Sequence, residues 1–303
     1  MYQRNAVQKQ FAGAIDLTKV AQDIQLSRDR GTAETLVSNY QWMIQNSPRR
    51  KAILSERVVS PDRLEATALL AANALRRRLE GDFVETGVFR GLSSVLMMLA
   101  MQNQTRAPSG RMWACDSFEG LPATDATDEH NEANCSRRVE GGQRCMVARG
   151  RTFLGSFHAS ERTFMKNVIS LVAPAFWQQR LSIVKGWFNE TLPAPGMSAI
   201  SFLRLDGDLY TSTRDTLAAL YPLLSNGSLI YVDDYGSFGG CGKAVDDYLA
   251  KRGCQETPQP VYERSAAAGG WARVSIDSHE LQTRLAAGRT FEAVWWVKID
   301  CRN

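Results

Sequence analysis

Four aspartates stand in two short runs, Leu203-Arg204-Leu205-Asp206-Gly207-Asp208-Leu209-Tyr210 and Val232-Asp233-Asp234-Tyr235-Gly236. Each run follows an apolar stretch of strand length, so both sets of carboxylates are expected at the mouth of a neighbouring strand pair. Carboxylates held this close repel one another and keep protons unless a cation neutralises them. Oxygen ligands without His or Cys favour Mg²⁺, with Mn²⁺ or Ca²⁺ as alternatives. A bound divalent ion lowers the pKa of a coordinated hydroxyl, and a free carboxylate beside it can take the proton. That combination is what attack of an oxygen on an electrophilic methyl group requires. The competing reading has the aspartates cap the helices that follow, and the two roles can coexist.

A second constellation lies upstream. Glu85-Thr86-Gly87-Val88-Phe89-Arg90-Gly91 ends one apolar run and opens a helix. Glycines at 87 and 91 allow a tight turn and close backbone approach to a ligand. The GxGxxG fingerprint of a dinucleotide site is absent, which disfavours a pyrophosphate. An acidic residue before the first glycine suits a ligand with a cationic amino group or hydroxyls, such as the methionine part of S-adenosylmethionine (SAM); a plain turn is the alternative. Asp116-Ser117-Phe118 ends the next apolar run. An acid there can accept both ribose hydroxyls of a nucleoside, with Phe118 against the base, or it can make an Asx turn. Gly186-Trp187-Phe188 follows a third run and either walls an adenine or sugar pocket or is ordinary core.

These tips need a scaffold. Short apolar runs at 82–88, 111–115, 181–185, 200–205, 228–232 and 294–299 read as strands. Helical patterns at 92–101, 160–174, 213–224 and 242–252 separate or follow them. Alternation of this kind predicts a doubly wound α/β fold with a mostly parallel sheet, which binds ligands beyond the carboxyl ends of its strands. Residues 1–80 read mainly as helix: Thr35–Gln45 has helical spacing, Ser60-Pro61-Asp62 is a helix start, and Arg63–Arg78 carries a Leu/Ala stripe. They form an N-terminal helical cover, and 81–303 forms one structural unit. Residues 121–151 are polar and read as a loop or lid.

Composition narrows the partners. In 303 residues the net charge is +4 without a dense Lys/Arg run, which disfavours nucleic acid. No stretch approaches the roughly 20 apolar residues of a membrane span, and Met1 to Phe11 lacks an apolar signal core, so a cytoplasmic protein is expected. The six cysteines show no CxxC spacing, which disfavours a zinc site.

In combination, VETGVFRG, DSFEGLP, GWFNETLP, LRLDGDLYTST and VDDYG followed by CGKAVDD resemble the macrocin O-methyltransferase family over roughly residues 62–252 and the last strand. That family comprises metal- and SAM-dependent enzymes that methylate sugar hydroxyls on antibiotics. The resemblance implies a class I SAM-dependent methyltransferase fold of the Rossmann-like kind. It places Glu85, Gly87, Arg90 and Gly91 at the methionine end of SAM, with Thr86 and Val88 in the same turn. Asp116 would hold the ribose, with Ser117 and Phe118 near the adenosine. Asp206, Asp233 and Asp234 would ligate the metal, and Asp208 would be the general base. It also implies a sugar or glycoside acceptor and a homo-oligomer, expected as a dimer. A catechol-type O-methyltransferase, a metal-dependent hydrolase using the same aspartates, and a noncatalytic SAM-binding protein are the alternatives. Residues 258–292 exceed the link expected before the last strand.

Overall fold

The computed structural model describes residues 59–102, 110–124, 126–130, 154–253, 256–262 and 291–300. Seven strands make one sheet: β1 (Asp82–Thr86), β2 (Met112–Asp116), β3 (Leu181–Lys185), β4 (Ile200–Leu205), β5 (Leu224–Val232), β6 (Gln259–Tyr262) and β7 (Phe291–Val297). Their order is β3-β2-β1-β4-β5-β7-β6. The β3-β2-β1-β4-β5 neighbours pair parallel, and β7 runs antiparallel to both β5 and β6. The described helices are α1 (Pro61–Arg76), α2 (Leu92–Gln102), α3 (Ala126–His130), α4 (Glu161–Leu171), α5 (Pro174–Arg180), α6 (Phe188–Thr191), α7 (Tyr210–Leu220) and α8 (Gly239–Arg252). The expected doubly wound, mostly parallel α/β architecture is present.

Strand alternation divides the core. Phe83, Ala114, Phe202, Leu229, Tyr231 and Trp295 face α1, α2 and α4, where Leu69, Leu96 and Phe164 fill the layer. Val84, Cys115, Leu203, Ile230 and Trp296 face α7 and α8, against Leu217, Leu220 and Val245. Helix α1 starts as the sequence suggests: Ser60 Oγ accepts from the Arg63 amide, and Pro61 occupies the first turn. Of the helical cover expected over 1–80, this helix is the described part; Thr35–Gln45 lies outside the described residues.

Register places the strand tips level with one another. Thr86 pairs with Cys115 and Leu205, and Leu205 with Val232. The residues that follow, Gly87, Asp206 and Asp233, therefore emerge side by side at the break between β1 and β4, where the chain winds in opposite directions.

The expected loop over 121–151 contains the short helix α3, whose Asp128 accepts a hydrogen bond from the Tyr210 amide at the start of α7, at 2.8 Å. The rest of that loop, from 131 to 151, lies outside the described residues, as do Cys135, Cys145, Cys254, Cys301 and His279. Cys115 and Cys241 are buried, and burial pushes both thiols up. Both are expected to resist iodoacetamide at pH 8 in the native protein and to react after unfolding. Peptide mass mapping checks this; fast native labelling at either position would contradict the packing.

Candidate active site

The first layer of the site is a row of cross-strand neighbours on the α1 side of the sheet. Glu85, Arg204 and Tyr231 lie directly opposite one another on β1, β4 and β5. Arg204 is fully buried. Its Nη1 donates to Glu85 at 2.9 Å and to Asp206 at 2.6 Å, and its Nη2 donates to Asp233 Oδ1 at 2.6 Å. Its Nε reaches Thr67 of α1 at 3.4 Å. The Tyr231 hydroxyl donates to the same Asp233 oxygen at 3.0 Å. Burial opposes the Arg204 charge, but Asp233, Asp206 and Glu85 outweigh it and hold the guanidinium protonated.

Glu85 belongs to this network. One of its oxygens takes Arg204 and the other accepts from Ser94 at the start of α2. It is buried at 0% exposure and shares Arg204 Nη1 with Asp206. Burial raises its pKa, and Arg204, Ser93 and Ser94 work against that rise. The sequence reading sets Glu85 at the methionine end of SAM; in the structure its two oxygens accept from Arg204 and Ser94.

The mouth is formed by three carboxylates. Oxygens of Asp206, Asp208 and Asp234 lie within 4.8 Å of one another. Asp208 gets there through its backbone: its φ is +57°, in the left-handed region that Asp and Asn tolerate better than other side chains. Burial and the Asp206 and Asp233 charges push its carboxyl well above the carboxylate range. Burial and the Asp208, Asp206 and Asp233 charges do the same to Asp234. Asp234 Oδ1 accepts from Ser237 at 3.1 Å, whereas its Oδ2 is buried with no hydrogen-bond partner.

Asp233 is placed differently from its neighbour, because consecutive residues leave a strand tip on opposite sides. It turns toward α1, where Arg63 Nη1 meets its Oδ2 at 2.5 Å and Arg204 takes its Oδ1. Burial raises the Asp233 pKa, and the two guanidiniums limit the rise. Thus Asp206 and Asp234, two of the three expected ligands, converge with Asp208, the expected base, while the oxygens of Asp233, the third, meet Arg63 and Arg204.

The donor set fits a hard cation. Among the described residues, two guanidiniums, Arg63 and Arg204, stand among six acidic side chains, Glu85, Asp206, Asp208, Asp233, Asp234 and Glu292. Asp234 Oδ2 is the buried acidic oxygen left without a hydrogen-bond partner among them. A divalent ion with oxygen ligands supplies what that atom and its two neighbours lack. Helix capping does not account for these aspartates. The N-cap residues of α7 and α8 are Leu209 and Phe238, and the Tyr210 amide at the start of α7 is taken by Asp128.

The turn after β1 is built for close approach. Gly87 has φ +83°, and a Cβ there would collide with the Asp206 carbonyl oxygen. Asp116 ties this turn to β2: its Oδ2 accepts from the Val88 and Phe89 amides at 2.8 and 3.1 Å, and its Oδ1 from Phe118 at 2.7 Å. Burial raises the Asp116 pKa against these three bonds. Arg90 lies over the Phe89 ring at 5.0 Å, and Gly91 leaves room for the Phe164 ring, which a Cβ would approach to 2.6 Å. Thr86 Oγ1 is buried without a hydrogen-bond partner at the end of β1. Ser117 closes its own turn by accepting from the Glu119 amide, and Phe118 packs in the core against Phe164. Gly186 follows β3 with its amide on the Asp116 carbonyl. Trp187 precedes α6 half-buried, and Phe188 joins the α7-side core.

Arg204, Tyr231 and Ser94 carry a readable signal, since each is a polar or hydroxylated group inside an otherwise apolar element. Arg63 carries none: it is 170 residues from the aspartate it meets.

The family model of macrocin-O-methyltransferase (TylF) matches residues 15–149 and 173–267. The demethyldecarbamoylnovobiocin O-methyltransferase of Streptomyces niveus is 31% identical over 217 residues, 71% of this chain and 75% of that protein. The 8-demethyl-8-(2,3-dimethoxy-alpha-L-rhamnosyl)-tetracenomycin-C 4'-O-methyltransferase of Streptomyces olivaceus is 30% identical over 225 residues, 74% of this chain and 78% of that protein. The solved structure of the O-methyltransferase NovP superposes with a TM-score of 0.54 at 28% identity, over 80% of this chain and 81% of that one.

Proposed function

This chain belongs to the macrocin O-methyltransferase family of SAM-dependent O-methyltransferases, and on that premise we propose that it methylates a hydroxyl of a sugar or glycosylated natural product at a divalent-cation site formed by Asp206 and Asp234, with Asp208 as base. The observation that carries this reading is the convergence of Asp206, Asp208 and Asp234, with one buried Asp234 oxygen unsatisfied, level with the Gly87 turn. The relatives named for a novobiocin precursor and a rhamnosyl-tetracenomycin support the acceptor class.

SAM supplies a methyl group on a sulfonium. A divalent ion held by Asp206 and Asp234 would polarise an acceptor hydroxyl. The chain does the rest. In this reading Gly87 lets the cofactor approach the backbone beside Asp206, Asp116 takes the ribose hydroxyls, and the turn at 186–188 lies next to Asp116. Asp208 accepts the hydroxyl proton. When bound, SAM would give its methyl carbon to that oxygen and keep the carbon–sulfur electron pair on sulfur. Asp233, Arg204 and Glu85 hold the frame from behind.

Calorimetric titration of SAM and of its demethylated product, with and without Mg²⁺, tests the reading. Micromolar binding of both is expected. Absence of binding under every metal condition would overturn it.

A further inference from the structure

We propose that Arg63 is a positioning residue of the methyl-transfer site: from the first turn of α1 it holds Asp233 and thereby sets the direction in which Asp234 faces Asp206 and Asp208. The inference rests on the cation site proposed above.

Four observations support it. Arg63 is 5% exposed, so its guanidinium is a built part of the interior. Its Nη1 lies 2.5 Å from Asp233 Oδ2 and 3.7 Å from Asp234 Oδ1, and its Nη2 lies 3.0 Å from Glu292 at the start of β7. One planar fork therefore joins the first turn of a helix, the tip of β5 and the neighbouring antiparallel strand. The opposite oxygen of Asp233 is held by Arg204 and Tyr231. A carboxylate gripped from both sides cannot rotate, and its backbone carries the next residue, Asp234, with it. Finally, Arg63 sits on helix α1, outside the strand-tip segments that supply the site's carboxylates. Docking of that helix and completion of the site are thereby one event.

Without Arg63 the Asp233 carboxylate would keep one guanidinium and add its charge to the mouth. Held at one oxygen only, by Arg204 and Tyr231, Asp233 could rotate, and the geometry of the three converging oxygens would loosen. Partners that orient metal ligands typically change metal affinity by about 10–100-fold when removed. Arg63→Ala is expected to weaken Mn²⁺ binding by at least about tenfold, while SAM affinity stays within about twofold because the Gly87 turn and Asp116 are untouched. Arg63→Lys keeps the charge but lacks the fork needed to reach both Asp233 and Glu292, and is expected to fall between wild type and Arg63→Ala.

The test is Mn²⁺ titration of the full-length protein followed by electron paramagnetic resonance, in wild type and both variants. SAM calorimetry and thermal melting accompany it. Graded loss of Mn²⁺ affinity with SAM binding retained is the expected result. Equal Mn²⁺ affinity in all three proteins overturns the role of Arg63 while leaving the cation site standing. Wild type that binds no Mn²⁺ overturns the cation site and this role together. If Arg63→Ala does not fold, Arg63→Lys with unchanged Mn²⁺ affinity overturns the proposal.

Discussion

Asp208→Asn is expected to lower methyl-transfer turnover by about a thousandfold and to leave SAM affinity within about twofold. Asn has the shape of Asp and shares its tolerance of the left-handed backbone that Asp208 adopts at φ +57°. The substitution therefore removes the proton acceptor without disturbing the Asp206–Gly207–Asp208 turn. Single-turnover assays with labelled SAM, beside calorimetry of SAM binding, separate the two quantities. Undiminished turnover would remove Asp208 from the chemistry.

The same variant has a stability signature. Burial and the Asp206 and Asp233 charges raise the Asp208 pKa in the folded protein. Above about pH 4 the unfolded chain has released this proton while the folded protein still holds it. Folding then binds protons, so the contribution of Asp208 to stability falls as pH rises from that value to the raised folded pKa. A neutral amide removes the effect. Metal-free Asp208→Asn is expected to melt above metal-free wild type at pH 7, with the gap closing as Mg²⁺ is added.

Arg204→Met is expected to destabilise the protein by about 3–5 kcal/mol, the usual result of removing one partner from a buried ion pair. Here the removed group serves three carboxylates, Glu85, Asp206 and Asp233, of which Glu85 and Asp233 are buried. Met fills much of the volume, so packing alone cannot account for such a loss. Denaturant unfolding in the absence of metal measures it, and a change under about 1 kcal/mol would show that the network contributes little. The double variant Arg204→Met, Glu85→Gln should recover part of the loss, because it removes a charge left without its partner.

The strand tips were legible in the sequence for a physical reason. Strands buried on both faces read as short apolar runs, and their ends are marked by the residues that end apolar runs, here Gly87, Asp116, Gly186, Asp206 and Asp233. The start of β5 was less legible: the helical pattern runs to 224 and the apolar run begins at 228, yet Leu224 begins the strand, with a register shift against β4. Strand β6 was hidden by Pro260, which argues against a strand in a sheet interior but is tolerated at an edge, where β6 lies. Helices α5 and α6 have seven and four residues, too short to show a period. Within the site, the four aspartates were visible as a set, but their division of labour was not. That division follows from strand alternation, which turns Asp233 toward α1, and from the backbone of Asp208. Glu85 reads as a ligand contact from its place before Gly87. Only the cross-strand register shows it opposite Arg204, and the reach of Arg63 across the fold has no local signature at all.

Anomalous diffraction at the manganese edge, from crystals grown with Mn²⁺ and demethylated SAM, tests the central claim most directly. The account requires a peak about 2.0–2.3 Å from carboxylate oxygens of Asp206 and Asp234, with Asp233 still on Arg63 and Arg204. Demethylated SAM bound beside Gly87 with no peak between Asp206, Asp208 and Asp234 would contradict it.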